Sequence, residues 1–362
     1  EIAYEFGLIT YDEYRRYYRR KYDELYVKKI ESRYSQNQKK KVIRKKVNPV
    51  IIHNVYQCLK DCCSLSEHHR LSLIRDRKIS LERIEQDYFT CPTNWRQKDT
   101  IIARIKEKYP AYTDEILMNI PGFFYDKKRG KLSFTGHKGL GILIRNSDSR
   151  IVAIQIRKDT IQEGDSRYIW FSSSFATYNP DEYNGGNGCG SPKDVCYPQM
   201  LKKHTLCITE GRFKSEKLTE SGNISISVQG VTSWHGIEET IKHMNGIHNV
   251  FIFFDADILG KHVLFMQSEK MIRKIQDEFP GLYIRYAFWS KKNGKGIDDC
   301  IIAGNISKVK YYEAKRAAEI CNDAYTHALG EYHVANLREL KQERAKEFED
   351  YLQILTESML GL

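Results

Sequence analysis

The chain of 362 residues is long enough for two or three domains, and 41% hydrophobic residues can build packed cores, which excludes a disordered polypeptide. Its apolar runs stop at about five residues, far below the roughly 20 that cross a bilayer, and no signal-peptide pattern opens it, so it reads as a soluble, cytoplasmic protein with no membrane partner. With 58 Lys+Arg against 47 Asp+Glu the formal net charge is +11, which suits a polyanion such as nucleic acid or a nucleoside triphosphate, and equally a plain solvated basic surface.

Residues 1–50 form a first, basic segment with 14 Lys+Arg against 7 Asp+Glu. A helix is expected over Tyr11 to Ile30, and Lys39 to Lys46 reads as a linker or an arm for phosphates. The sequence begins at Glu1, as a fragment or a processed product would. Residues 51–120 show helical apolar spacing, with helices expected at Val55 to Leu65, from an N-cap at Ser80, and at Thr100 to Tyr109 before Pro110. Zinc is disfavoured here. His53, Cys58, Cys62, Cys63, His68, His69 and Cys91 lack the paired knuckle spacing of a zinc site, and the nine scattered cysteines fit reduced, small apolar residues.

Residues 121–200 change texture at Pro121-Gly122-Phe123 to short strands at Leu132 to Phe134, Gly141 to Ile144, Ile151 to Ile156 and Tyr168 to Phe171. Arg145, Arg157, Lys158 and Arg167 fall at strand ends of this mixed α+β unit, where they suit nucleic acid or ordinary solvent exposure. Asn179 to Pro198 reads as a long loop.

Residues 201–305 alternate strand and helix. Strands are expected at Thr205 to Thr209, Ile224 to Val228, Val250 to Phe254 and Tyr283 to Phe288, with helices at Arg212 to Glu220, Ser233 to Met244, Lys261 to Phe279 and Asp298 to Ala303. Such βα alternation predicts an α/β domain with about four parallel strands and helices on both faces. Residues 306–362 read as a charged helical segment interrupted near Gly330.

Three acidic stations punctuate that domain: Glu210-Gly211 after the first strand, Asp255-Ala256-Asp257 after the third, and Asp298-Asp299 after the fourth. Strand ends of a parallel sheet converge on one edge, where carboxylates can share Mg²⁺. Asp255 and Asp257, two apart, would project to one side if the strand continued, and a cation would offset their repulsion. Lys214, a helical turn past Glu210, is a phosphate contact or a surface lysine, whereas Lys295 between two glycines has the closer backbone approach.

With Lys295-Gly296-Ile297-Asp298-Asp299, these motifs resemble the TOPRIM domain, the Rossmann-like α/β module of bacterial primases, type IA and II topoisomerases and some nucleases; the likeness spans about 100 residues. Gly139 to Ser174, with its strand pair GILIRNSDSRIVAIQIR and Ser166-Arg167-Tyr168-Ile169-Trp170, is similar to the subdomain preceding TOPRIM in bacterial and phage primases. From Val55 through Gly304 the chain resembles primase-like TOPRIM proteins of plasmids, phages and integrated mobile elements. It departs at Ser149, where a glycine is common, and in showing no zinc-binding module, which leaves template-sequence recognition without its usual carrier.

The resemblance implies Mg²⁺ or Mn²⁺ held by Glu210, Asp255, Asp257 and Asp298, with Asp299 a further acid or a helix cap, and Arg157 and Arg167 along the template or nucleotide groove. The implied activity is a primase-type nucleotidyltransferase making short RNA on single-stranded DNA from nucleoside triphosphates, with a replicative helicase as a further partner. A metal-dependent nuclease using the same acids, or a non-catalytic replication-associated DNA-binding protein, is the alternative. A topoisomerase would need a nucleophilic tyrosine in a separate DNA-gate domain, and 24 tyrosines make the presence of one uninformative.

Overall fold

The computed structural model describes residues 47–162 and 165–362, so the expected helix at Tyr11 to Ile30 and the arm at Lys39 to Lys46 lie outside the described residues. Three sheets organise the rest. Helix α1 (Pro49–Asp61) starts at Asn48, whose side chain accepts from the Val50 amide, and carries Val55, Tyr56 and Leu59 on its buried face. A short helix α2 (Glu67–Leu71) runs into a single π turn, Ser72–Asp76, and α3 (Leu81–Asp87) is capped by Ser80 as its sequence predicts.

The stretch 51–120 is not a purely helical unit. Strand β1 (Tyr88–Thr90) follows α3 directly and pairs antiparallel with β4 (Gly139–Arg145), making one sheet of order β1-β4-β5-β6 with β5 (Ile151–Lys158) and β6 (Tyr168–Trp170). Every residue of β4 is buried because the sheet is covered on both faces. Leu143, Ile154 and Ile156 meet α1 and α4 (Trp95–Lys108), while Leu140, Ile142 and Ile144 meet Leu73, Ile84, Tyr88 and Phe213. A short helix α5 (Asp114–Leu117) leads to a small sheet of order β3-β2-β7, built from β2 (Phe123–Asp126), β3 (Lys131–Phe134) and β7 (Tyr183–Asn184).

The largest sheet has six strands in the order β13-β12-β11-β9-β10-β8 and is mixed. Its centre consists of β9 (Thr205–Thr209), β10 (Ile224–Ser227), β11 (Asn249–Phe253) and β12 (Tyr283–Phe288), paired in parallel. Two antiparallel edges flank them: β8 (Asp194–Cys196) beside β10, and β13 (Lys310–Glu313) beside β12. The expected loop at Asn179 to Pro198 therefore contains β7 and β8, and the segment 306–362, expected as helical with an interruption near Gly330, also contains β13.

Alternation along the central strands feeds two cores. Leu206, Ile208, Val250 and Ile252 pack against α7 (Ile237–Lys242), α8 (His262–Glu278) and α10 (Ala314–Glu331). Cys207, Phe253 and Ala287 face α6 (Arg212–Thr219) and α9 (Ile297–Ile302) through Leu218, Ile297 and Cys300. Each such Leu or Ile, fully withdrawn from water, contributes about 1.5–3 kcal/mol. The last helix, α11 (Gln342–Met359), packs Phe348 and Leu352 on Ala324 and Ala328 of α10.

Candidate active-site cleft

A cleft of about 400 Å³ opens where β9 and β11 end, between the six-stranded sheet and the β1-β4-β5-β6 sheet. Glu210, Lys214, Asp255, Lys295, Asp298 and Asp299 line it from one side, and Gln155, Arg167 and Tyr168 from the other. Arg77, arriving from the end of the π turn, lines it as well.

The chain reaches Glu210 through the fully buried β9 and then turns at Gly211, whose φ of 91° and ψ of 144° belong to a backbone region held almost only by glycine. The Gly211 amide is fixed by the Ser227 hydroxyl at 2.7 Å, so the turn is tied to the neighbouring strand. Burial, and after it the Asp255 carboxylate, raises the Glu210 carboxyl above its ordinary range, against the pull of Lys214. Asp255 follows β11 with φ −55° and ψ 144°, and the chain then enters a 3₁₀ turn, Ala256–Gly260, rather than continuing as strand. Asp257 thus lies in that turn and not along an extended β11, yet Lys295 Nζ spans both acids, 3.9 Å from Asp255 Oδ2 and 3.5 Å from Asp257 Oδ2.

Cations sit against three of the acids. Lys214 Nζ lies 2.5 Å from Asp255 Oδ1, and although burial works against its charge, Asp255 and Glu210 hold its pKa above the ordinary lysine value. Lys261 Nζ is 2.8 Å from Asp257 Oδ2; against burial, Lys261 and then Lys295 keep the Asp257 carboxyl below its usual range. Arg77 Nη1 donates to Asp298 Oδ2 at 2.9 Å, while burial and the adjacent Asp299 leave Asp298 raised. Asp299, half exposed, accepts from the Gly296 amide at 3.3 Å and so braces the start of α9.

Among the described residues no three His, Cys, Asp or Glu side chains stand as a ready-made metal cage. The donor set nevertheless suits a hard divalent cation, because it consists of carboxylate oxygens. Asp255 Oδ1 is buried without an aligned hydrogen bond, its contact with Lys214 being ionic. A Cβ at Gly296 would overlap Asp298 Oδ1 and lie 2.8 Å from Lys214 Cε, so glycine is what lets these two side chains close in beside Asp255.

Three basic candidates from the sequence, Arg167, Lys214 and Lys295, line this cleft, Arg167 being exposed. Three do not. Arg145 is no surface contact: it is buried, its Nε donates to Asp87 Oδ1 at 2.7 Å and its Nη1 to Ser149 O at 2.8 Å. Arg157 is half-buried on β5 outside the cleft lining, and Lys158 pairs with Asp165 at 2.6 Å beside a separate depression formed with His137 and Trp170.

Sequence reasoning missed Arg77, whose Arg-Asp-Arg-Lys setting looks like any solvated turn. It also missed the pair Gln155 and Gln229, bonded across the cleft at 2.9 Å. The one signal for the latter was Gln155 interrupting the apolar run of β5.

A family described as a domain of unknown function, DUF3854, matches residues 197–307, which span the three acidic stations. No curated protein matches the chain by sequence. Among solved structures, the chain is similar to the RNA polymerase domain of Mycobacterium tuberculosis primase DnaG, with a TM-score of 0.53 and 14% identity over 83% of this chain and 97% of that one. A DNA primase domain from Pseudomonas aeruginosa follows with a TM-score of 0.49 and 14% identity, over 83% of this chain and 99% of that one. The chain thus has the mixed α/β fold of a primase catalytic core.

Proposed function

We propose that the chain is a primase-type nucleotidyltransferase that joins ribonucleotides into short RNA on single-stranded DNA, through a TOPRIM arrangement of acids. The observation that carries this reading is the sharing of one cleft by Glu210, Asp255, Asp298 and Asp299 with Arg77, Arg167, Lys214 and Lys295. Acids for a metal with cations for phosphates beside them are what phosphoryl transfer requires. The fold shared with a primase RNA polymerase domain supports the same reading.

Glu210, Asp255, Asp257 and Asp298 would hold Mg²⁺ or Mn²⁺, with Asp299 bracing the loop behind Asp298. Bound there, the metal supplies Lewis acidity toward phosphoryl oxygens and lowers the pKa of an attacking hydroxyl. The protein's own part is positional and electrostatic. Lys214 and Lys295, released from the carboxylates, are placed to take nucleotide phosphates, and Arg167 on the facing wall to hold the template backbone. Arg77 keeps Asp298 aligned through its 2.9 Å bond. A mobile-element setting and a replicative helicase partner belong to this proposal as the context in which such primases work.

Incorporation of labelled ribonucleotides on a single-stranded template with Mg²⁺ or Mn²⁺ tests it. Synthesis is expected in the wild type and lost in Asp255→Ala and Asp257→Ala; equal activity in all three removes the proposal. Plasmid nicking that needs the same acids but no ribonucleotides, without primer formation, would assign the cleft to a nuclease instead.

A further inference from the structure

The acid-bearing turn Ala256–Gly260 does not stand on the sheet alone; it rests on α11, close to 100 residues further along the chain. Gln353 is 8% exposed and uses both ends of its amide on this turn. Its Nε2 donates to Ala256 O at 3.0 Å, and its Oε1 accepts from the Gly260 amide at 2.9 Å. A Cβ at Gly260 would approach Glu349 O to 2.5 Å, so helix and turn lie backbone against backbone.

One helical turn on, Glu357 extends the contact to the second acidic loop. Its Oε1 receives Gln353 Nε2 at 2.7 Å and the Lys291 amide at 2.9 Å, and its Oε2 receives the Ser290 hydroxyl at 2.7 Å. Ser290 and Lys291 open the loop that delivers Lys295 and Asp298, and the Ala256 amide donates to Lys295 O at 2.9 Å, closing the circuit.

We propose that Gln353 and Glu357 are positioning residues that set Asp255 and Asp257 in register with Asp298, so that divalent-cation affinity depends on a helix contributing no residue to the cleft lining. The inference rests on the metal-binding reading above. An apolar side chain at 353 would fill the space; a buried amide with every polar atom engaged fixes backbone geometry, and losing it removes both side-chain bonds that tie Ala256 O and the Gly260 amide to α11. Partners lying behind metal ligands typically set affinity by 10–100-fold.

The test uses the full chain with Gln353→Met, which keeps length and removes the hydrogen bonds, and Glu357→Gln, which keeps an acceptor oxygen. Hydrogen exchange across 256–260 and Mn²⁺ titration followed by electron paramagnetic resonance are read beside thermal stability. Gln353→Met is expected to speed exchange at Gly260, to weaken Mn²⁺ binding about 10–100-fold, and to lower kcat for primer synthesis with template KM unchanged. Glu357→Gln should retain most of the affinity. A Gln353→Met protein that melts earlier but binds Mn²⁺ like the wild type overturns the positioning role, and so does unchanged exchange across the turn. Wild-type protein that binds no Mn²⁺ overturns the metal reading, while the exchange result still reports the brace.

Discussion

Glu210 shows the conflict built into this cleft at the level of one side chain. Burial and the nearby Asp255 raise its carboxyl pKa, and Lys214 only partly offsets them. A carboxyl raised in the folded chain adds stability below its ordinary value of 4.5, and that contribution is lost as pH rises through the folded-state value. Once ionised, and without metal, the wild-type carboxylate is one that its surroundings oppose. Glu210→Gln removes the charge and keeps the shape. In EDTA the variant is expected to melt above the wild type at pH 8, with the gap closing as the pH falls towards 4. It should lose primer synthesis at every pH. Thermal melts across that range decide it, and a variant less stable at pH 8 would mean that Lys214 compensates Glu210 in full.

At the scale of elements, two glycines shape the exits of adjacent parallel strands. Gly211 after β9 and Gly230 after β10 both have φ near or above 90° with ψ close to 143°, and both line the cleft. A Cβ at Gly211 meets nothing within 4 Å, so Gly211→Ala tests backbone conformation without a clash. The expected cost is about 1–3 kcal/mol, read as a lower urea midpoint at constant m-value, with activity falling because Glu210 shifts. The central strands were legible because each is a short apolar run between turn residues, followed by a helical pattern. Edge strands β1, β8 and β13 were not, being three or four residues long and, in Asp194-Val-Cys196 and Lys310-Tyr-Tyr-Glu313, carrying charges that read as loop or helix. The acidic stations were legible from position alone, whereas the ammonium groups on them were not. The helical spacing of Lys214 reads as a phosphate contact or a surface lysine, yet its ion-pair partner is Asp255, 41 residues away in sequence.

At the scale of the whole molecule, the sheet bearing the acids must stay locked to the sheet facing them, and a buried ionic network beside Glu210 makes that connection. Arg212 is 3% exposed. It donates to Asp194 on β8 at 3.1 and 3.2 Å, to Glu216 on α6 at 2.8 Å, to Leu143 O on β4 at 3.1 Å, and to Asp87 at the end of α3. Arg145, which the sequence offers as a nucleic-acid contact or an ordinary exposed residue, belongs instead to this network through Asp87, because counter-charges far away in the chain fold around it. Breaking one partner of such a set leaves buried charges uncompensated, at about 3–5 kcal/mol. Arg212→Met should therefore destabilise by that amount in urea unfolding, and adding Asp194→Asn in the same chain should recover part of the loss, because one stranded carboxylate is then gone. If Arg212→Met instead costs less than about 1 kcal/mol, the apolar contact of Phe213 with Leu140, Ile142 and Tyr88 holds the two sheets together, and the ions only select their register.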